Sequence, residues 1–285
     1  MSVCCWVSQG GSGVRRELSP GRHVDLVVNS AKYVVDSVDD LAPQLANNRA
    51  YWLGWGSTSA VDDDLPIYRS DLRHGMLNGV LRARGIDLAT AVSRAREALA
   101  GTSWMWWYHP LDSDVAVADL LVHRGATLAG TVPLMAARLD DVPEVPVPSG
   151  VRLEPARTNG DLAAFARTYL VPNGMTMTDA DAAAQVEISR DGRLDDQLRY
   201  VAWFGDEPVA CGALSISHGV AGIYNMATIA AFEGRGIGTA LAVELLTQAR
   251  RRGLKVATLT ASPRGALVYR RLGFDAVSEY RLFSF

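Results

Sequence analysis

Along the second half of the chain the apolar positions switch repeatedly between the two-residue period of a strand and the longer period of a helix. Val151 to Glu154 alternates as a short strand does, and Asp161 to Leu170 puts Leu162, Phe165, Ala166 and Tyr169 on one helical face. A further helix is predicted from Ala180 to Ile188, behind an Asp179 cap. Tyr200–Phe204 and Pro208–Ser217 flank Gly205-Asp206-Glu207, a hairpin signal. A strand from Gly222 to Ile229 then leads into a glycine-rich loop and a helix from Thr239 to Arg252, with Leu241, Leu245 and Ala249 in one stripe beside Ala242 and Leu246. Arg250, Arg251 and Arg252 suit its negative end, and Gly253 suits the position after it. Val256–Thr260 reads as a strand, Gly265–Leu272 as a short helix, and Phe274 onward as a returning strand. The predicted class is mixed α/β (an α+β type mixed sheet), with a hairpin in front of a β-loop-α-β-α-β run. That order differs from a doubly wound dinucleotide-binding sheet.

The first half is patterned more weakly. Asp25–Val28, Leu77–Leu81 and Ser103–Tyr108 read as strands, and Asp87–Ala100 and Asp114–His123 as helices. Gly85 to Gly125 and Gly236 to Gly273 share one helix-strand-helix-Gly-strand order, which predicts an eroded internal repeat. Between the halves, Leu139–Gly150 carries three prolines and ends in Ser-Gly, so it reads as an extended linker. The predicted division is a loose Gly/Ser-rich arm over 1–20, a first domain over 21–140, a Pro-rich linker over 141–150 and a second domain over 151–285.

Composition narrows the function. The chain has 285 residues, 48% hydrophobic and 21% charged, which suits a globular core and excludes a mainly disordered or coiled-coil chain. A net charge of −3 gives no basic field for a nucleic-acid backbone, so no nucleic-acid partner is expected. No apolar run suffices to span a bilayer and no signal peptide is evident, so the expected home is the cytoplasm. Cys4, Cys5 and Cys211 make a poor disulfide framework, and the scattered histidines and cysteines suggest no metal.

The chemistry concentrates in Glu233-Gly234-Arg235-Gly236-Ile237-Gly238-Thr239-Ala240, between a strand and an amphipathic helix. Glycines turn the backbone tightly with N–H groups outward, and the helix adds its positive end, which makes a cradle for phosphate oxygens. The loop lacks the Lys-Ser/Thr of a P-loop and does not match G-x-G-x-x-G. Taken with the strand Ile223–Thr228 (IYNMAT) and the downstream Ala266–Phe274 (ALVYRRLGF), this loop resembles the GNAT superfamily of N-acetyltransferases, whose acyl-CoA loop reads Q/R-x-x-G-x-G/A. The resemblance covers about Val151 to Phe285. The first half looks like a degenerate second copy, because Arg82-Ala83-Arg84-Gly85-Ile86-Asp87 imitates the loop but has Asp87 at the second glycine, a residue better explained as a helix N-cap.

The resemblance implies acetyl-CoA as co-substrate. Met226 and Thr228, with Ala227 between them, would offer backbone groups to the pantetheine arm. The amides of Gly234, Arg235, Gly236, Ile237, Gly238 and Thr239 would hold the pyrophosphate, and Ser262 would stand in for a frequent cofactor-contacting asparagine. Tyr269 would be the general acid for the departing thiolate. Glu233 departs from the pattern, since an acid beside a pyrophosphate is electrostatically unhelpful; Arg235 and Arg264 could restore positive charge. No base is evident: where some protein-acetylating members carry a strand Glu, this chain has Gly222, which leaves Tyr224 acting through water, Glu187 or His218 as candidates. The aromatic runs Tyr51, Trp52, Trp55 and Trp104, Trp106, Trp107, Tyr108 read mainly as packing, with a substrate wall as the second reading. Alternation puts Trp104 and Trp106 on one face and Trp107 on the other. Asp62, Asp63 and Asp64 read as a solvated loop able to attract a cation.

The expected activity is acetyl transfer to a primary amine, small-molecule rather than protein, by direct attack. The alternative is a non-catalytic acyl-CoA-binding sensor or scaffold, motivated by Glu233 and Gly222.

Overall fold

Alternating apolar strands need cover on both faces, and the helices supply it. The computed structural model describes residues 33–56, 59–70, 72–114, 117–190 and 196–285; the predicted arm over 1–20 and strand Asp25–Val28 lie outside them. Among the described residues there are ten strands, β1 (Ile67–Arg69), β2 (Asn78–Val80), β3 (Met105–Tyr108), β4 (Thr127–Arg138), β5 (Val151–Pro155), β6 (Gln197–Phe204), β7 (Glu207–Ser217), β8 (Val220–Thr228), β9 (Val256–Thr260) and β10 (Asp275–Ser284). The α-helices are α1 (Leu41–Leu53), α2 (Leu88–Ala98), α3 (Val117–His123), α4 (Asn159–Leu170), α5 (Ala180–Ser189), α6 (Ile237–Arg251) and α7 (Pro263–Arg271). No helix among the described residues is long and apolar enough to cross a membrane.

All ten strands lie in one mixed sheet of order β1-β2-β3-β10-β4-β9-β8-β7-β6-β5. The last strand, β10, is inserted between two first-half strands, antiparallel to both β3 and β4. β4 in turn pairs antiparallel with β9 of the second half. Residues 142–150 carry no regular element and lead from a single 3-10 turn at Leu139–Asp141 into β5. The repeat is visible in the elements: α2-β3-α3-β4 matches α6-β9-α7-β10, and each half has one parallel strand pair, β2 with β3 and β8 with β9.

One face of the second-half sheet is covered by α6, whose Leu241, Leu245, Leu246 and Ala249 are buried among Val209, Leu214 and Ile223. Each of these leucines removed from water contributes about 1.5–3 kcal/mol. The helix begins at Ile237, two residues before the predicted Thr239, because Gly236 already serves as its N-cap. The other face is covered by α4, through Leu162, Phe165 and Tyr169, and by α1.

Helix α1 is absent from the sequence prediction. It buries polar Gln44, Asn47, Asn48 and Arg49 along with Leu45, Tyr51 and Trp52, so no polar face alternates with an apolar one. Its polar groups are satisfied by the sheet instead: Gln44 Oε1 accepts from Thr258 Oγ1 at 3.0 Å, and Asn47 Nδ2 donates to Ser215 O at 3.1 Å and Ser217 Oγ at 2.8 Å.

Candidate active site

The parallel pair β8–β9 holds register from Ala221↔Ala257 to Ile223↔Leu259 and then separates, although β8 continues to Thr228. The cause is a bulge on the other side of β8: Cys211 pairs with Ala227 and Ala213 with Tyr224, so Asn225 and Met226 together face Gly212. A two-against-one bulge bends its strand, and Asn225 takes a φ of 48° there. The Met226 sulfur occupies the space where a side chain at position 212 would start. Beyond Ile223 the β9-facing backbone edge of β8, including Met226, Ala227 and Thr228, therefore has no strand partner among the described residues. It can pair with an extended ligand as another strand would.

The loop after β8 turns into α6 through Gly236, whose φ of 79° is left-handed and disfavoured for residues with a Cβ. The first four N–H groups of a helix have no intrahelical acceptor, here Gly236, Ile237, Gly238 and Thr239, and no side chain caps this end. Among the described residues nothing lies within 4 Å of where a Cβ would stand on Gly234, while one on Gly238 would come 3.1 Å from Thr228 Oγ1. Outward N–H groups, a positive helix end and open space fit a pyrophosphate. Glu233 is paired with Arg264 at 2.7 Å, which offsets its charge beside the cradle. Arg235 lies over the Phe232 ring, 4.6 Å from its centroid.

Between the diverging strands opens a cleft of about 510 Å³. The second half lines it with Tyr224, Asn225, Met226, Thr260, Ser262 and Tyr269; the first half contributes Trp52, Met76, Met105, Trp107 and Thr131. Tyr269 packs edge-on to Phe274, and burial pushes its phenol well above the ordinary range, so it carries its proton at neutral pH. Ser262 lines the cleft, but its hydroxyl is engaged as the N-cap of α7, accepting from Gly265 N at 3.1 Å.

The strand position without a glutamate has a physical explanation. A Cβ on Gly222 would overlap Asn47 Oδ1 and the Tyr224 ring, so α1 fills the space that a longer residue would need. Tyr224 donates its hydroxyl to Asn47 Oδ1 at 2.7 Å and stacks on Tyr51 with ring centroids 3.7 Å apart. Burial pushes its phenol far up, which leaves it a poor base. Glu187, fully buried, is clamped by Arg199 at 2.7 Å and Arg190 at 3.2 Å. His218 lies in the β7–β8 turn, at the other end of β8 from the glycine loop. Trp104 and Trp106 pack together on one side of β3, and Trp107 faces the other, into the cleft. Asp62, Asp63 and Asp64 lie in an exposed loop. Asp87 caps α2, accepting from Thr90 N at 2.9 Å. Asn47, Met76 and Met105 escaped sequence reasoning, because their partners are remote in sequence and no local motif marks them.

Residues 171–274 match the model of the acetyltransferase (GNAT) family. No curated protein matches the chain significantly. Among solved structures, a GCN5-related N-acetyltransferase from Kribbella flavida is similar over 86% of this chain and 95% of its own, with a TM-score of 0.63 and 21% identity. A functionally unknown conserved protein from Staphylococcus epidermidis is similar over 80% and 92%, with a TM-score of 0.59 and 14% identity. A tandem GNAT protein from the clavulanic acid biosynthesis pathway is similar over 69% and 67%, with a TM-score of 0.51 and 17% identity. At these identities the likeness is one of fold.

Proposed function

We propose that this chain, whose residues 171–274 match the acetyltransferase (GNAT) family, moves an acetyl group from acetyl-CoA to a primary amine of a small molecule. The observation that carries this reading is the opening of β8 from β9 directly beside the uncapped N-terminus of α6, with Tyr269 in the same cleft. Acetyl-CoA brings an activated thioester. The N–H groups of Gly234 through Thr239 hold its pyrophosphate, and the free edge of β8 at Met226, Ala227 and Thr228 pairs with the pantetheine arm. Ser262 contributes its position at the start of α7 rather than its capping hydroxyl.

The amine nitrogen attacks the thioester carbon, and a C–N bond forms. The C–S bond then breaks with its electron pair going to sulfur, and one proton of the former amine ends on that sulfur, giving an amide and free CoA. Tyr269 is the general acid that passes this proton, a role suited to a phenol that burial keeps protonated. Tyr224 is a wall residue in this scheme, since its hydroxyl is committed to Asn47.

The alternative of an acyl-CoA sensor without turnover loses much of its motive, because Arg264 pairs with Glu233. Thiol release from acetyl-CoA, followed with a panel of amines, tests the reading. Turnover that falls about 10²-fold or more in Tyr269→Phe while acetyl-CoA binding stays intact supports it. Binding without thiol release for any amine would favour the sensor.

A further inference from the structure

None of the described residues lining the cleft is Asp, Glu, Lys, Arg or His. An alkylammonium entering it would lose hydration and gain no carboxylate in return, at a cost that disfavours its charged form. Nor does the wall supply a group to take the ammonium proton. The base position is occupied by Asn47 from α1, and Glu187 is held by two arginines. His74, two residues before Met76 in the sequence, does not line the cleft, and burial holds it below its ordinary value, so it adds no charge there near neutral pH.

The same wall is rich in flat and adaptable apolar groups. Trp52 and Trp107 have ring centroids 5.5 Å apart with planes 39° from parallel, and Tyr224 lies edge-on to Trp52 at 6.5 Å. Trp107 is pinned by donating to the Tyr68 hydroxyl at 3.1 Å, which itself donates to Met76 O at 2.8 Å. Met76 and Met105, flexible and polarisable, line the cleft beside this aromatic wall. Trp52 is 7% exposed, and its indole N–H is buried with no acceptor among the described residues.

We infer that the acceptor is a weakly basic aromatic amine, its nitrogen borne directly on a ring that packs against Trp52 and Trp107. The lone pair of such a nitrogen is delocalised into the ring, so the amine is uncharged near neutral pH. It needs neither a carboxylate partner nor a base to become nucleophilic. Its ring gains area burial and aromatic contact that an alkyl chain lacks. This inference rests on the acetyltransferase reading. In the transfer the amine nitrogen borne on the ring forms the amide C–N bond, the thioester C–S bond breaks, and the displaced N–H proton leaves with the CoA sulfur.

The full chain is assayed near neutral pH with acetyl-CoA and aniline or 2-naphthylamine, against benzylamine, n-hexylamine and a lysine-containing peptide. The expected kcat/KM for the two arylamines exceeds that for the others by about tenfold or more. Equal or faster turnover of benzylamine, hexylamine or the peptide overturns the inference while leaving acetyl transfer in place. Absence of acetyl-CoA binding by calorimetry sinks the acetyltransferase reading and this one with it. If acetyl-CoA binds and no amine turns over, the sensor reading is favoured and this inference is overturned with the acetyltransferase reading. Thr131→Asp, at the exposed mouth of the cleft, and Met76→Glu each add a carboxylate. Each is expected to move the arylamine-to-hexylamine ratio about tenfold toward hexylamine. An unchanged ratio in a variant that still binds acetyl-CoA contradicts the neutral-cleft argument.

Discussion

Gly222→Ala probes how the first half shapes the site in the second. The added methyl would overlap Asn47 Oδ1 and the Tyr224 ring, with the Tyr224 hydroxyl oxygen 2.9 Å away. Overpacking a filled core costs about 1–3 kcal/mol. Displacing Asn47 also deprives Ser215 O, Ser217 Oγ and the Tyr224 hydroxyl of partners, at about 1–3 kcal/mol for a buried group left unsatisfied. A total of about 2–6 kcal/mol corresponds to a fall in Tm of roughly 3–10 °C for a chain of 285 residues. The assay is thermal and urea unfolding of Gly222→Ala, Asn47→Ala and the double variant. Truncating Asn47 removes the obstacle to the methyl, so the double variant is expected to be more stable than additivity predicts by at least about 1 kcal/mol. A Gly222→Ala protein within about 0.5 kcal/mol of the parent, or strictly additive variants, would refute the steric explanation for the missing strand acid.

Further outcomes follow from other contacts. Arg264→Ala leaves Glu233 unpaired beside the cradle and should raise the KM for acetyl-CoA about two- to fivefold, with Glu233→Gln restoring it in the double variant. Steady-state kinetics check both. Burial pushes the Tyr51 phenol up to about 12, so the folded state holds its proton where the unfolded chain releases it. Its contribution to stability is complete below the ordinary tyrosine value of about 10 and is lost as pH rises toward 12. The part of the tyrosinate absorbance that is lost in Tyr51→Phe should therefore appear together with unfolding rather than before it. His109 is held neutral by burial, with Nε2 2.7 Å from Ser278 Oγ. Its contribution is complete above the ordinary histidine value of about 6.5 and is lost as pH falls below it. Melting temperatures across that range should flatten in His109→Gln relative to the parent.

What could be read from the sequence was local. The stripe Leu241, Leu245, Ala249 marks α6, because one face of that helix meets the sheet and the other meets water. The glycine loop is legible because backbone N–H groups need glycines to face outward together. Helix α1 was illegible for the opposite reason: buried all round, it carries Gln44, Asn47 and Arg49 inward, and their partners Thr258, Ser217 and Asp112 are distant in sequence. The insertion of β10 between β3 and β4 is likewise a long-range pairing that alternation cannot reveal. Alternation along β3 separates Trp107 from Trp104 and Trp106, but which face lines the cleft, and that Trp52 joins Trp107 there, depends on the fold.

The central claim is that the loop before α6 binds acetyl-CoA. Its most direct test is calorimetric titration of the full chain with acetyl-CoA, beside Gly236→Asp. Aspartate tolerates the left-handed conformation better than most residues, and among the described residues beyond its chain neighbours the Cβ position meets only Pro148 Cγ, at 3.9 Å, so the variant should fold. Its carboxylate would nonetheless stand among the N–H groups meant for phosphate. The account predicts one saturable site in the parent that disappears in the variant; equal binding by both proteins, or none by the parent, would contradict it.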